Sequence, residues 1–66
     1  MEITVIFGKK EEIKEINEKM TIKEVLNEMD ISSETVVIKR NNEIVMDEET
    51  LQNGDIIEVI RVIYGG

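Results

Sequence analysis

The chain opens with Glu-Ile-Thr-Val-Ile-Phe at residues 2–7, where Ile3, Val5 and Phe7 recur at the two-residue period of a strand. Ile6 falls on the opposite face and needs separate cover. Gly8, Lys9 and Lys10 make a polar turn, and residues 11–16 are expected to return as the second strand of a hairpin. Ile13 and Ile16 stand three apart, which breaks the alternation and predicts a bend or an early end to that strand.

The period then changes. Ile22, Val25, Leu26 and Met29 sit at i, i+3, i+4 and i+7, one stripe along a helix. Thr21 precedes the stripe and Glu24 follows three residues later, the arrangement of a capping box, with Met20 and Val25 at the two staple positions. Lys23, Glu24, Asn27 and Glu28 are left for solvent. So short a helix depends on burial of its stripe. No glycine supplies a left-handed C-cap, and Asp30-Ile31-Ser32-Ser33 is the expected exit.

A third strand is predicted over residues 35–40, with Val36 and Ile38 alternating against Val37 and Lys39. Asn41-Asn42 can adopt the positive dihedral angles of a tight hairpin, followed by a short strand at Glu43-Ile44-Val45. Leu51 is expected to plug the core, and Asn53-Gly54-Asp55 marks a turn. The last strand covers residues 56–62, with Ile57 and Val59 on one face and Glu58 and Ile60 on the other. The first and last strands are the richest in β-branched residues, which places both near the centre of the sheet, paired in parallel. The order is strand, strand, helix, strand, strand, strand. It predicts an α+β domain, a mixed sheet of four to five strands packed on one helix, with a small barrel as the alternative. No internal repeat or linker interrupts it.

Sixty-six residues make one domain, close to the smallest size at which a hydrophobic core suffices without staples. Ordering the chain costs on the order of 100 kcal/mol, so most apolar residues must share one core and a deep private pocket is not expected. The chain has no Cys and no His, which excludes disulfides, thiol catalysis and the usual zinc sites. Fifteen acidic residues against eight basic ones give a formal charge of −7. Nucleic acid and anionic membranes are repelled on average, whereas a partner with a basic surface is attracted. The same surplus can serve solubility alone. Glu11-Glu12 and Asp47-Glu48-Glu49 read as solvated charge runs, and the latter lacks the spacing of a calcium-binding loop, so no metal site is assigned. No apolar run reaches the roughly 20 residues of a membrane span. The start lacks the pattern of a signal peptide, and cytoplasm is the expected location.

The remaining feature is the end of the sequence. Residues 1–62 are expected to form the domain and residues 63–66 a flexible tail, Ile63-Tyr64-Gly65-Gly66. Two glycines give a thin segment able to thread a narrow channel in another protein. The Gly66 carboxylate is then the reactive group, and Tyr64 either packs in a partner's groove or stays free. A carboxylate is a poor acyl donor. Attack on the α-phosphate of ATP converts it to an acyl adenylate, from which a sulfur or amine nucleophile displaces AMP. The chain has no phosphate-binding loop, so the metal and cationic groups for this step must come from a partner. Ile60 and Val62 point away from the Ile57 and Val59 face and either dock that partner or simply cover the outer side of the sheet. Arg61 pairs either with a partner carboxylate or with an acidic residue of its own chain.

Four segments together, Ile3-Thr4-Val5-Ile6-Phe7, Met20-Thr21-Ile22-Lys23-Glu24-Val25-Leu26, Leu51-Gln52-Asn53-Gly54-Asp55 and the final Gly65-Gly66, resemble the ubiquitin-like β-grasp sulfur carriers of the ThiS and MoaD group across essentially the whole chain. The resemblance implies a β-grasp fold and a monomeric carrier rather than an enzyme. An E1-like enzyme, using ATP and Mg²⁺, would adenylate Gly66, and a sulfur donor would turn the adenylate into a thiocarboxylate. Gly65 would be its slim neighbour, and Ile60 and Val62 would lie where relatives contact partners. The acceptor would be a thiazole synthase, the large subunit of molybdopterin synthase or a tRNA sulfurtransferase. The short length favours the thiazole branch. Two other readings share the pattern: a protein modifier joined to lysines through Gly66, and a binding domain with an inert tail.

Overall fold

The computed structural model describes residues 1–62. In chain order the elements are β1 (Glu2–Phe7), β2 (Lys10–Glu15), α1 (Ile22–Glu28), a 3₁₀ turn at Ser33–Thr35, β3 (Val36–Arg40), β4 (Glu43–Val45) and β5 (Ile56–Arg61). They form one open sheet in the order β2-β1-β5-β3-β4. β1 and β5 lie parallel at its centre and the other pairings are antiparallel. This is the mixed sheet and single helix expected of a β-grasp, and the barrel alternative is excluded by the two free edges, β2 and β4.

Alternation along the central strands builds the core. Ile3 and Val5 of β1 and Ile57 and Val59 of β5 are buried against Ile22, Val25 and Leu26 of the helix, with Ile38 and Leu51 closing the cluster. Leu26 is wholly buried. The bend predicted from Ile13 and Ile16 occurs after Glu15. Ile13 stays on the strand, 67% exposed, while Ile16 turns inward to 7%. The turn is fixed by a backbone hydrogen bond from Ile16 N–H to Met1 O, 2.7 Å. The third strand begins at Val36 rather than at residue 35, because Thr35 belongs to the 3₁₀ turn. β5 ends at Arg61, one residue short of expectation.

The first turn of α1 carries orphan donors that no intrahelical carbonyl reaches. Thr21 Oγ1 accepts from Glu24 N–H, and the Glu24 carboxylate accepts from Thr21 N–H, which completes the capping box. Ile22 N–H donates to Glu49 O at 3.0 Å and Lys23 N–H to Asp47 O at 2.9 Å. The loop after β4 therefore supplies two acceptors to the helix start, and Leu51 N–H returns the contact to Met20 O. At the other end the helix stops on a Schellman motif. Asp30 N–H donates to Asn27 O and Ile31 N–H to Leu26 O, with Asp30 at φ +64° in the position that favours glycine.

The Asp47-Glu48-Glu49 run corrects the expectation of a purely solvated segment. Asp47 is half-buried and its carboxylate accepts from Ser33 Oγ at 2.6 Å. Glu49 lies 3.1 Å from Arg40 Nη1. The same Arg40 places Nε 3.1 Å from Asp55 Oδ2 as an ion pair without hydrogen-bond alignment, and its Nη2 donates to Thr50 O. Asp55 is the buried charged residue among the described residues, and it also accepts from Gln52 N–H at 2.8 Å. Arg40 thus ties the loop of residues 47–55 to β3. Gly54, at φ +87°, lets the turn before β5 fold back so that its N–H reaches Glu2 O.

Two outcomes follow from these contacts. Asp30→Val should lower stability by about 1–2 kcal/mol, because a β-branched side chain is strained at that φ, whereas Asp30→Gly should not. Urea unfolding of both variants measures the difference. Arg40→Ala leaves Asp55 buried without its cation and should cost about 3 kcal/mol, at the lower end of the range for a broken buried pair, read from the same titration.

Candidate functional site

The helix covers one face of the sheet, and strand register defines the other. Three rows of side chains cross it. Ile13, Thr4 and Ile56 form one row. Glu11, Ile6, Glu58, Lys39 and Ile44 form the second. Val37 and Ile60 form the third, nearest the end of β5. The exposed large apolar residues Ile13, Ile44, Ile56, Ile60 and Val62 all lie on this face by alternation, Ile60 being 38% and Val62 37% exposed. Met46, at the end of β4, is also exposed. Ile6 is half-covered by its neighbours, so the cover it requires is partial.

A set of exposed apolar side chains interspersed with charges on an otherwise acidic domain fits a protein-docking surface. By alternation Glu2, Glu11, Glu15 and Glu58 share the face with Lys39 as the opposing charge. The charges of this face are mostly acidic, with Glu58 in its middle row and Glu2, Glu11 and Glu15 on the β1–β2 side, and complement a basic partner surface.

The structure brings Ile60 and Val62 together on the open face and separates Arg61 from them. Arg61 has the parity of Ile57 and Val59, which are buried under the helix. Its guanidinium carbon lies 5.4 Å from the centroid of the Phe7 ring. No carboxylate among the described residues lies within ion-pair distance of it, since the ion pairs there belong to Arg40. The two sides of the β5 terminus thus differ: apolar toward the open face, cationic and aromatic toward the helix. Val62 N–H donates to Thr35 O, so β5 remains tied to the turn before β3 up to its last described residue.

Ile63, Tyr64, Gly65 and Gly66 lie outside the described residues, so the candidate reactive group and its flanking tail carry no geometry here. The open-face residues Ile6, Ile13, Val37, Ile44 and Ile56 were not singled out from the sequence. Their shared face follows from strand order, and only alternation within each strand was visible beforehand. Among the described residues there is no group of three or more His, Cys, Asp or Glu side chains able to hold a metal ion, and no helix is long and apolar enough to cross a membrane.

A model of the ThiS family matches residues 3–66, a span that includes both terminal glycines. Three solved structures share the fold. The thiamine biosynthesis protein ThiS of Geobacter metallireducens is 22% identical, with a TM-score of 0.66 over 96% of this chain and 99% of that one. A ubiquitin-like protein of the archaeon Caldiarchaeum subterraneum is 17% identical, with a TM-score of 0.65 over 98% and 100% of the two chains. A chain from the complex of subunits 1 and 2 of the molybdopterin-converting factor of Helicobacter pylori is 19% identical, with a TM-score of 0.69 over the full length of both.

The open face should be dispensable for folding while the core is not. Ile60→Ser is expected to change stability by less than about 1 kcal/mol, and Ile57→Ala, at a buried position of the same strand, to cost about 2–5 kcal/mol. Thermal and urea denaturation followed by circular dichroism compare the two.

Proposed function

The chain belongs to the ThiS family, whose members are carriers that hold sulfur as a thiocarboxylate on a C-terminal glycine after activation by an E1-like enzyme, and on that premise we propose that Gly66 is the residue so activated here. The observation that carries this reading is the extent of the family match, which runs through Gly65-Gly66.

The chemistry asks little of the carrier. A Gly66 carboxylate oxygen attacks the α-phosphorus of ATP, a new P–O bond forms, and pyrophosphate leaves. A sulfur nucleophile then adds to the acyl carbon of the adenylate, the C–O bond to phosphate breaks, and AMP departs. The Mg²⁺ and cationic groups that offset the developing charge belong to the activating enzyme. This chain supplies a thin end, with Gly65 adding no side chain to the channel and Tyr64 entering it behind the glycines. It also supplies a surface that holds the globule against the channel's mouth. Ile60 and Val62 provide the apolar part of that surface, and the acidic residues of the open face direct it toward a basic partner. Residues 1–62 act as the handle and 63–66 as the reacting segment. After activation, a thiazole synthase is the first candidate acceptor, supported by the family whose model matches. The large subunit of molybdopterin synthase and a tRNA sulfurtransferase receive the same chemical group and are the alternatives.

Incubation with an E1-like activating enzyme, ATP, Mg²⁺ and a sulfur source should raise the intact mass by the difference between one sulfur and one oxygen. Loss of Gly65 and Gly66 should abolish that change while the circular dichroism spectrum is kept. Ile60→Asp should reduce the initial rate at least tenfold, because it places a charge in the apolar docking patch. An unchanged mass with an enzyme that activates a related carrier, or full activity without the two glycines, contradicts the assignment.

A further inference from the structure

β5 ends between two chemically different surfaces, and the helix-side one has a specific construction. Lys10 is the cross-strand neighbour of Phe7. Val59 is the parallel neighbour of Phe7 on its other flank, and Arg61 lies two residues beyond, with its guanidinium over the ring. Two cations therefore flank one aromatic side chain at the end of the sheet from which the residues leading to Gly66 continue. A guanidinium within about 6 Å of a ring centroid is attracted by the negative face of the ring. That contact reduces the rotamer freedom which a long side chain surrenders on binding.

The site opens onto a groove of about 520 Å³, floored by Val5, Phe7, Met29 and Ile31. Glu12, Glu28 and Asp30 line the same groove together with Lys10, Lys14 and Arg61. None of the three acids is within ion-pair distance of Arg61. They sit on β2 and at the helix terminus, so they repel a run of carboxylates entering from that side. At the Phe7 end the groove is lined by Lys10 and Arg61, which suits a single carboxylate approaching there. The planar fork of Arg matches a carboxylate by two parallel hydrogen bonds. Four residues can span about 13 Å at most, so a nucleotide at Gly66 has room to lie away from Arg61.

We propose that Arg61, held against Phe7 with Lys10 beside it, binds a carboxylate on the lip of the activating enzyme's tail channel. The enzyme thereby grips the root of the tail from the helix side while Ile60 and Val62 are covered on the other. This inference rests on Gly66 being the activated residue, and it adds the recognition chemistry at the channel mouth.

ATP–pyrophosphate exchange with the activating enzyme, at varied concentrations of the carrier, tests it. Arg61→Ala should raise the KM for the carrier about tenfold, with kcat and the KM for ATP unchanged. Phe7→Leu keeps apolar volume without the ring and should give a smaller rise in the same constant. Added salt should weaken the wild type more than Arg61→Ala. Lys23→Ala, which removes one positive charge from the exposed face of α1, should behave as wild type. Thermal midpoints check that each variant is folded. Equal KM values for Arg61→Ala and Lys23→Ala overturn the proposal, and so does a rise in the KM for ATP, which would put Arg61 on the nucleotide. Absence of exchange with the wild-type chain overturns the activation reading and this inference with it.

Discussion

The parallel pairing of β1 with β5 is the contact on which the rest of the molecule depends. Parallel neighbours cannot be joined by a hairpin, so everything between them must leave the sheet and return. The segment from β2 to the 47–55 loop makes that return, and α1 lies within it, laid across one face. The pairing also fixes where the last strand ends. β5 is flanked by β1 and β3, not placed on an edge; its ladder with β1 runs to Val59 and its ladder with β3 to Arg61. Val62 is still hydrogen-bonded to Thr35 at that point. The segment that follows is attached to a central strand paired on both sides.

One seven-residue helix can cover only one face of five strands. That shortage divides the sheet into two surfaces with separate tasks. The helix side spends its apolar residues on stability, with Ile3, Val5, Ile57 and Val59 packed beneath Ile22, Val25 and Leu26. The other side keeps Ile13, Ile44, Ile56 and Ile60 in contact with water. Burying those residues against a partner costs the fold nothing, because the fold never used them. The edges are treated differently again. β2 is lined with Lys and Glu, and β4 is three residues long, both of which discourage pairing with another sheet. Apolar contact is thereby directed to the face and away from the edges.

Much of this architecture was legible in the residues, and the exceptions have physical causes. The helix was readable because Ile22, Val25 and Leu26 repeat at a period no strand can satisfy, and because Thr21 and Glu24 flank its start. Asn41-Asn42 adopt the positive φ values that the hairpin requires. Asp30 was not recognisable as the C-cap, since the residue that takes the left-handed conformation there is not glycine, and only the paired bonds to Asn27 and Leu26 identify it. Asp47 looked solvated because charge runs usually are. Its bond to Ser33 depends on a contact between residues fourteen apart, which no local pattern encodes. Of the candidate site, Ile60 and Val62 were found by alternation. Arg61 was grouped with them by proximity in sequence, although the same alternation turns it toward Phe7. The open face as a whole needed strand order, a long-range property, before its seven isoleucines and valines could be seen as one surface.

A domain this small has its core occupied by the residues that fold it and no interior left for a reaction chamber. Its contribution to chemistry must therefore be made at a terminus, and selectivity must come from the surface around the root of that terminus. On the proposed reading the activating enzyme and the sulfur acceptor accept the same four residues, and both approach the end of β5. A surface used by two successive partners cannot be specialised so strongly for one that it fails to release. Partly exposed side chains such as Ile60 and Val62 suit that requirement, because they offer modest burial and leave the balance to charge. As proposed, Arg61 has a distinct part in the scheme. Apolar contact on the open face favours any partner with a greasy, basic patch, whereas a guanidinium held in place on the opposite face demands a carboxylate at one position. Selection between partners can therefore reside on the helix side while affinity resides on the open side, and the alternation of a single strand is enough to separate the two.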